Sequence, residues 1–390
     1  MGALQDLLGK PLETRESKGY VFTAAEIAAQ PEVWRKTFAA VHEAAPEVKR
    51  FLGSTDRILL TGAGSSSYAA ASAVPLLRRS FRVAEAIPST EILMDPESAL
   101  PREEFALVSL ARSGNSPEGN AVFELAERLR PGKVKQLVIT CAREGELARL
   151  AVSGARNGFR LLLPEESSDR SLAMTSSFSS LAIASCGLAF LGTEEFRTAV
   201  EGLARAAENL LGQGSDVAAH LAGEGFRRVF FLGSRPFLGG VLEAHLKVQE
   251  LSGGTVVAKA EDTLGFRHGP MAAVDANSLI ILALSGDPCR RLYEADLLAE
   301  IREKRMGKKT VVIGDRASLS RSLASVVDEA FDHGPARDVT DDVRAPLVAI
   351  PGQLLGMFLS LAAGLRPDNP SPGGVINRVV QGVRIYPREA

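Results

Sequence analysis

The feature that most constrains the fold is an internal repeat that relates the two halves of the chain. In each half, short apolar runs end in turns that contain glycine or serine and are followed by helical patterns. Equivalent positions are separated by 171, 172 and 174 residues, for the pairs Ile58 and Val229, Ser113 and Ser285, and Val138 and Val312. Three landmarks at nearly one offset predict two copies of one domain and not a solenoid of many repeats.

The apolar runs of the first copy indicate the class of this domain. They read RILLT, ALVSL, VKQLVIT and FRLLL, at residues 57–61, 106–110, 134–140 and 159–163. Runs with few polar residues, separated by amphipathic helices, are typical of a parallel sheet that is covered by helices on both faces. The sequence therefore predicts an α/β fold of two such three-layer domains, with N-terminal helices and a C-terminal tail.

Domain boundaries follow from where this pattern starts, repeats and ends. The prediction is a helical lead-in at 1–50, a first α/β domain at 51–200, a second at 201–365 and a tail at 366–390. In the lead-in, Thr23-Ala-Ala-Glu26 has the spacing of an N-terminal capping box, and Pro31 is expected near the first turn of a second helix.

Composition and charge exclude several classes of protein. The chain has 390 residues, of which 45% are hydrophobic and 24% are charged, and this balance predicts a soluble globular protein. The net charge of −2 gives no broad basic field, so no nucleic-acid partner is predicted. The three cysteines are far apart and lack the spacing of metal ligands, so neither a disulfide framework nor a zinc site is predicted.

The chain is also expected to lie in the cytoplasm. Its first residues lack the basic and apolar pattern of a secretion signal, and no apolar run is expected to reach the roughly 18 residues of a membrane span. Residues 353–365 are predicted to form a buried helix. The sequence therefore predicts a cytoplasmic protein with no membrane partner.

Two loops rich in serine follow the first two predicted strands of the first copy. Residues 62–67 read GAGSSS and residues 112–116 read RSGNS, and in an open parallel sheet both loops should face one crevice. Neither loop carries lysine. Serine hydroxyls, backbone amides and a helix N-terminus suit a phosphate monoester, because it accepts many neutral hydrogen bonds at once. The alternative is that glycine and serine only form tight turns here. The second copy lacks the serine cluster, so one copy is predicted to bind the phosphate.

A second cluster of ionisable residues lies at 245–270, in the second copy. Lys247 and Glu250 are three residues apart on one face of a predicted helix, and His268 follows in a loop before Gly-Pro. Apolar neighbours dominate this helix, so its few charged groups are expected to be partly buried. The alternative is a charged helix face that is solvated surface. Several acid–base groups of different kinds in one short passage favour a catalytic site.

Together these features resemble the sugar isomerase (SIS) family, in particular the isomerase half of glutamine:fructose-6-phosphate amidotransferase. The shared features are the duplicated domain, the two serine loops, Lys247-x-x-Glu250 and Arg267-His-Gly-Pro270. Within the family, DNPSP at 368–372 and NRVVQGV at 377–383 are similar to the AgaS branch. Members of that branch are galactosamine-6-phosphate deaminases/isomerases or tagatose-6-phosphate ketose/aldose isomerases. The resemblance covers nearly the whole chain.

The resemblance implies which residues contact the substrate. The residues of the two serine loops would bind the phosphate. Ala173 and Thr175 would line the sugar, and Arg378 in the tail matches a lysine that closes over the substrate. Arg112 stands where the amidotransferase has glutamine. The complete set is Gly64, Ser65, Ser66, Arg112, Ser113, Ser116, Ala173, Thr175 and Arg378.

The resemblance also implies three catalytic residues. Glu250 would be the base that moves a proton between C1 and C2, Lys247 its neighbour, and His268 the group that opens the sugar ring. His268 would reach across from the second subunit of a homodimer, so that the active site is shared. Histidine titrates near neutral pH, and a carboxylate held in a dry site suits proton abstraction. This chemistry requires no metal or cofactor, and none is predicted.

The expected activity is deamination of an amino-sugar 6-phosphate. No cysteine precedes Cys141, so the chain is expected to lack the N-terminal nucleophile with which the amidotransferase releases ammonia from glutamine. The favoured substrate is galactosamine 6-phosphate or glucosamine 6-phosphate. One alternative is a ketose/aldose isomerase that acts on neutral sugar phosphates such as tagatose 6-phosphate. Another is a non-catalytic sugar-phosphate sensor.

Overall fold

Two parallel sheets of five strands each form the framework of the computed structural model. The structure describes residues 2–153, 158–336, 339–371, 373–380 and 382–386. Helices flank both sheets, which confirms the predicted α/β class. Pro372 and Gln381, which belong to the two tail motifs, lie outside the described residues.

The first sheet follows three N-terminal helices, α1 (Ala3–Leu8), α2 (Leu12–Lys18) and α3 (Val21–Leu52). Its strands are β1 (Arg57–Thr61), β2 (Val83–Ala86), β3 (Phe105–Ala111), β4 (Val134–Thr140) and β5 (Gly158–Leu162). Their order across the sheet is β2-β1-β3-β4-β5. The helices that connect or follow them are α4 (Ser65–Leu77), α5 (Ser89–Met94), α6 (Pro96–Ala99), α7 (Pro117–Leu129), α8 (Glu146–Ser153) and α9 (Ser176–Gly187).

The second sheet repeats this arrangement after the long helix α10 (Glu194–Ala222). Its strands are β6 (Arg228–Leu232), β7 (Val257–Glu261), β8 (Ser278–Ala283), β9 (Lys309–Gly314) and β10 (Glu329–Asp332). Their order, β7-β6-β8-β9-β10, is that of the first sheet, strand for strand. The helices of this part are α11 (Leu238–Leu251), α12 (Pro288–Glu303), α13 (Arg321–Ala324) and α14 (Ala345–Ala362).

The described residues fall into two compact units, one around each sheet. The second-sheet unit lies within residues 1–32, 170–175 and 199–373, and the first-sheet unit lies within residues 33–169, 176–198 and 374–390. Each unit has its own apolar core. Leu59 and Leu107 pack with Val122 in the first, and Leu232 and Ile280 pack with Leu297 in the second. Burial of such side chains is the main stabilising term of each unit.

The N-terminal helices differ from the expected pattern in one respect. Helix α3 is continuous from Val21 to Leu52 and passes through Pro31, so no second helix begins there. Its first turn is capped by a residue distant in sequence, Asp368, whose carboxylate accepts hydrogen bonds from Thr23 N at 2.7 Å and Thr23 Oγ1 at 2.8 Å. Glu26 instead accepts a hydrogen bond from the Arg170 amide at 2.6 Å. The predicted capping box was therefore wrong.

Helix α14 was only partly anticipated. It begins at Ala345 and not near residue 353. The helix has 18 residues, and by length and composition alone it is long and apolar enough to cross a membrane. The expectation that no run reaches this length was wrong. In the structure 83% of the helix is buried inside the protein, as in a core helix.

The packing of α14 against α11 depends on glycine. A Cβ atom at Gly352 would lie 2.3 Å from Ala244 Cα, and one at Gly356 would lie 2.6 Å from the carbonyl oxygen of Lys247. Both distances are far shorter than a van der Waals contact, so the two main chains touch here. Helix α11 carries Lys247 and Glu250, and this contact fixes its position.

We expect the substitution Gly352→Ala to destabilise the protein by about 1–3 kcal/mol, because the added methyl group forces the two helices apart. Chemical denaturation followed by circular dichroism measures the change. Gly212→Ala in α10 is the matched control, since no atom lies within 4 Å of the added Cβ atom. That variant should be unchanged or more stable by about 0.5–1 kcal/mol. Equal stability of the two variants would contradict the packing argument.

Candidate active site

A buried ion group lies on helix α11 in the second-sheet unit. Lys247 is 1% exposed, Glu243 is fully buried, and the side chain of Glu250 is 22% exposed. Lys247 Nζ lies 3.2 Å from Glu243 Oε1 and 2.5 Å from Glu250 Oε2. Spacings of four and three residues place all three side chains on one helix face. The expectation of buried charges at Lys247 is confirmed, and the solvated-surface alternative is wrong for this residue.

The charges of this group determine its protonation. Burial by itself acts to lower the pKa of Lys247, but the attraction of Glu243 and Glu250 outweighs it and raises the pKa above its ordinary value. The ammonium group therefore stays charged at neutral pH. Glu250 is the member of the group with exposed surface, so it is the carboxylate that can meet a ligand.

Sequence reasoning missed Glu243. It precedes Lys247 by four residues, and this spacing on a predicted helix was a signal that could have identified it. A lysine between two glutamates, at spacings of four and three, brings two carboxylates to one ammonium group.

His268 lies on an exposed loop of the same unit. The loop follows the short 3-10 turn Gly265–Arg267, in which the Asp262 carboxylate accepts a hydrogen bond from the Gly265 amide at 2.7 Å. The next residue, Gly269, has a φ of 127°, which favours glycine. Within the part of the chain that the structure describes, the imidazole makes no hydrogen bond or ion pair. The backbone therefore fixes the place of His268 and leaves its ring open to solvent.

Glu261, which had no predicted role, ends strand β7 in the same unit. Its carboxylate lies 3.2 Å from Lys259 Nζ, and the lysine side chain is 50% exposed. Such an exposed pair is ordinary surface electrostatics, worth about 0–1 kcal/mol.

The first serine loop connects β1 to α4 in the first-sheet unit. Ser65 and Ser66 begin the helix, and each is 5% exposed. Gly64 has a φ of 54°, and a Cβ atom at Gly62 would lie 2.7 Å from Ser66 Cβ. The two glycines therefore allow the chain to turn tightly into the helix, with the serine amides in the first turn of the helix.

The second serine loop follows β3, the strand next to β1. Thr61 and Ser109 are register partners in these parallel strands, so both loops leave the same edge of the sheet. Gly114 has a φ of 65°, and the hydroxyl of Ser116, just before α7, donates to Glu118 Oε2 at 2.6 Å. The structure thus brings the two loops to one edge, as predicted. Their phosphate-binding role stays a prediction.

Arg112, the first residue of the second loop, connects this loop to Arg378 in the tail. Arg112 is 7% exposed, and its Nη2 atom donates to the carbonyl oxygen of Arg378. Arg378 donates in turn to the carbonyl oxygen of Asp169, from Nε at 3.0 Å and from Nη2 at 2.5 Å. The Asp169 carboxylate accepts from the amides of Ser176 and Ser177 at the start of α9, at 3.0 and 2.9 Å. The tail is therefore tied to the serine-loop edge through two guanidinium groups.

The remaining predicted residues, Ala173 and Thr175, belong to the second-sheet unit and not to the unit of the serine loops. They are 1% and 0% exposed. The carbonyl oxygen of Ala173 accepts a hydrogen bond from Ser171 Oγ at 3.1 Å, and the Leu172 amide donates to the carbonyl oxygen of Asp368 at 3.0 Å. The segment is therefore fixed by backbone contacts, with both side chains buried.

Comparison with known proteins finds similarity along nearly the whole chain, although no family model matches. A Streptomyces coelicolor protein, provisionally assigned as the D-galactosamine-6-phosphate deaminase AgaS, is 38% identical over 94% of this chain and 95% of its own length. The D-galactosamine-6-phosphate deaminase AgaS of Escherichia coli is 33% identical, over 95% of this chain and 96% of its own. A solved structure from Clostridium novyi NT, provisionally assigned as a tagatose-6-phosphate ketose/aldose isomerase, has a TM-score of 0.89 at 33% identity and covers 98% of both chains.

We expect Lys247→Met to destabilise the protein by about 3–5 kcal/mol, because it leaves carboxylates on α11 without their counter-ion. Lys259→Met is the matched control, since it removes the exposed pair with Glu261 and should change stability by at most about 1 kcal/mol. The free energy of unfolding in urea, measured at pH 7, compares the two.

The double variant Glu243→Gln/Lys247→Met should recover part of the loss, because the fully buried carboxylate is then neutral. A Lys247→Met protein as stable as the wild type would contradict the role of Lys247 as the counter-ion of the carboxylates on α11.

Proposed function

The chain belongs to the AgaS family of SIS-type phosphosugar enzymes, and we propose that it converts D-galactosamine 6-phosphate into a ketose 6-phosphate with release of ammonia. The observation that carries this proposal is identity of 33–38% to AgaS deaminases, over 94–95% of the chain. The buried Glu243, Lys247 and Glu250 group supports it, because proton transfer at a sugar carbon needs a carboxylate in a shielded, charged surrounding.

The proposed reaction begins with ring opening, in which His268 moves a proton between the ring oxygen and the C1 hydroxyl. Glu250 then takes the proton from C2, the electron pair of that bond forms a C1–C2 double bond, and the aldehyde oxygen takes up a proton to give the enolamine. Return of a proton to C1, with loss of one from the nitrogen, gives the C2 imine of the ketose. Water adds to this imine, and ammonia leaves as the C2 carbonyl forms. The configuration at C3, C4 and C5 is untouched, so galactosamine 6-phosphate yields tagatose 6-phosphate.

Lys247 has an electrostatic role in this scheme. Its ammonium group lies 2.5 Å from Glu250 Oε2 and orients the carboxylate while it stays charged. A fixed positive charge also stabilises the negative charge that develops on the substrate as the C2 proton leaves. Glu243 holds the ammonium group from the other side and is a positioning residue in the proposal.

The phosphate group is proposed to bind to the serine loops of the first-sheet unit. Small residues at the start of α4 and before α7 offer hydroxyl groups and backbone amides, which suit an oxyanion. Arg112 and Arg378 add positive charge next to the second loop, and Ala173 and Thr175 are proposed to line the sugar. The proposed phosphate ligands are Gly64, Ser65, Ser66, Ser113 and Ser116.

A second candidate activity is the interconversion of tagatose 6-phosphate with its aldose. It uses the same ring opening and proton transfer but releases no ammonia. The observation that favours it is the structural similarity to the Clostridium novyi NT protein, with a TM-score of 0.89.

We also propose that the enzyme works in the cytoplasm as a homodimer, with His268 of one subunit serving the active site of the other, and without a nucleic-acid or membrane partner. A net charge of −2 is consistent with a small-molecule substrate. The domain boundaries at residues 50, 200 and 365 stay predictions.

The deaminase proposal predicts ammonia release from galactosamine 6-phosphate, measured with the purified protein by a coupled ammonia assay. Glu250→Gln should lower kcat by about 10²–10⁴-fold, because the amide cannot take the C2 proton. Gln249→Ala is the control, since it changes an exposed neighbour on the same helix and should retain full activity. Absence of ammonia from both galactosamine and glucosamine 6-phosphate, with turnover of tagatose 6-phosphate, would leave the isomerase.

The proposed phosphate ligands predict a different kinetic effect. Ser113→Ala and Ser116→Ala should each raise KM roughly tenfold or more, because each removes a hydrogen bond to a charged group. Steady-state kinetics of ammonia release measure this, with Ser153→Ala on the exposed side of α8 as the control. An unchanged KM in both loop variants would place the phosphate elsewhere.

A further inference from the structure

The second unit has its own counterpart of the second serine loop. Strand β8 occupies the place of β3 in the strand order, and it is followed by Ser285-Gly286 as β3 is followed by Ser113-Gly114. One local hydrogen bond is also shared. The Asp287 amide donates to Ser285 Oγ at 3.0 Å, and the Asn115 amide donates to Ser113 Oγ at 3.2 Å. The two loops therefore share their place after the central strand, the Ser-Gly pair and this amide-to-hydroxyl hydrogen bond.

A carboxylate from elsewhere in the chain lies on this second loop. Asp341 is 6% exposed and belongs to the 3-10 turn Asp341–Val343 before α14. Its Oδ1 atom accepts from the Gly286 amide at 2.9 Å, and its Oδ2 atom accepts from the hydroxyl of Ser285, which is fully buried. A backbone amide and a serine hydroxyl are the donors that a phosphate oxygen would take from such a loop.

Two arginines complete the surroundings of this carboxylate. Arg290 Nη2 donates to Asp341 Oδ2 at 3.0 Å, and Arg344 Nη1 lies 3.4 Å from Oδ1. Guanidinium groups hold carboxylates and phosphates with similar geometry. The Asp341 carboxylate thus has an amide, a hydroxyl and two guanidinium groups around it, which is the donor set of a complete anion site.

The first copy differs at this point. Among the residues that the structure describes, no carboxylate contacts the Ser113 hydroxyl or the Gly114 amide. The corresponding segment before α9 contains Asp169, but its carboxylate accepts from the amides of Ser176 and Ser177. An acidic residue is therefore present before the equivalent helix in both copies. In the second copy it contacts the serine and the glycine of the loop, and in the first copy it binds the amides at the start of α9.

We propose that Asp341 is a resident anion that fills the second copy's equivalent of the phosphate loop and closes it to sugar phosphates. The comparison rests on the proposed binding of substrate phosphate to the first copy. A side chain attached to the fold is always present at high effective concentration, so a free phosphate cannot displace it easily. The duplicated chain would then hold one sugar phosphate and not two.

The buried Glu294 strengthens this assignment. Its Oε2 atom accepts a hydrogen bond from the Ser285 amide at 2.9 Å. A second carboxylate therefore occupies an amide donor that a phosphate loop would offer to its ligand. The loop of the second copy is thus built around acidic side chains of its own chain.

The test is removal of the resident anion. In Asp341→Ala the donor set is left without its carboxylate, and inorganic phosphate should take its place. Equilibrium dialysis with labelled phosphate should show one more phosphate bound per chain than in the wild type. Phosphate at several times its dissociation constant should raise Tm by about 2–4 °C more than in the wild type, whereas chloride at equal ionic strength should not.

Two further variants make the result specific. Arg290→Gln in the Asp341→Ala background should abolish the additional phosphate, because it removes a donor of the site. Asp296→Ala, an exposed position on the same helix α12, should bind as many phosphates as the wild type. If Asp341→Ala is recovered only in phosphate or sulfate, the anion requirement itself supports the proposal.

A folded Asp341→Ala protein that binds no additional phosphate would overturn the proposal, as would an unfolded one that neither phosphate nor sulfate restores. The readout is the increment in bound phosphate over the wild type. It is therefore independent of ammonia release and of how many phosphates the first copy binds.

Discussion

The contact between α11 and α14 is the constraint on which the candidate active site depends. Glycine at 352 and 356 allows the two main chains to touch, and this contact leaves Lys247 only 1% exposed. A buried ammonium group costs several kcal/mol unless nearby charges compensate it. Glu243 and Glu250 supply that compensation on the same face of the helix. The ion group is therefore a consequence of the helix packing. Within this group Glu250 is the partly exposed carboxylate, and its pair with Lys247 fixes its position.

Most of the fold could be predicted from the sequence because both sheets are parallel and their central strands are covered on both faces. Such strands are continuous apolar runs, and β1, β3 and β4 were found within a residue or so of their ends. The strands that sequence reasoning missed are β2, β7 and β10, and all three lie at sheet edges. Their sequences, VAEA, VAKAE and EAFD, mix charged and apolar residues, since one side of an edge strand meets solvent. An edge strand of four or five residues has no pattern of its own.

The candidate site was predictable to the extent that its residues are close in sequence. The serine loops and the spacing of Lys247 and Glu250 are local patterns, and the structure confirms the geometry expected of them. Contacts between distant segments were not predictable in the same way. Asp368 caps a helix that begins about 350 residues earlier, and Arg112 donates to the carbonyl of Arg378. No spacing rule connects such residues, because only the folded chain brings them together.

Duplication explains why one chain carries two equivalent loops, after β3 and after β8, that are surrounded by different residues. Two copies of one α/β domain begin with two equivalent loops, each of which presents a serine hydroxyl and a glycine amide at the carboxyl end of a central strand. The first copy keeps serine and glycine there, beside Arg112, and these small residues leave room for an external anion. The second copy places Asp341 and two arginines at the same point, so its donors are satisfied within the chain.

A buried donor without a partner costs about 1–3 kcal/mol. A loop that no longer binds ligand is therefore under pressure to acquire an internal acceptor. The acidic side chain before α14 provides that acceptor, and helix α11 of the same copy is left to contribute acid–base groups.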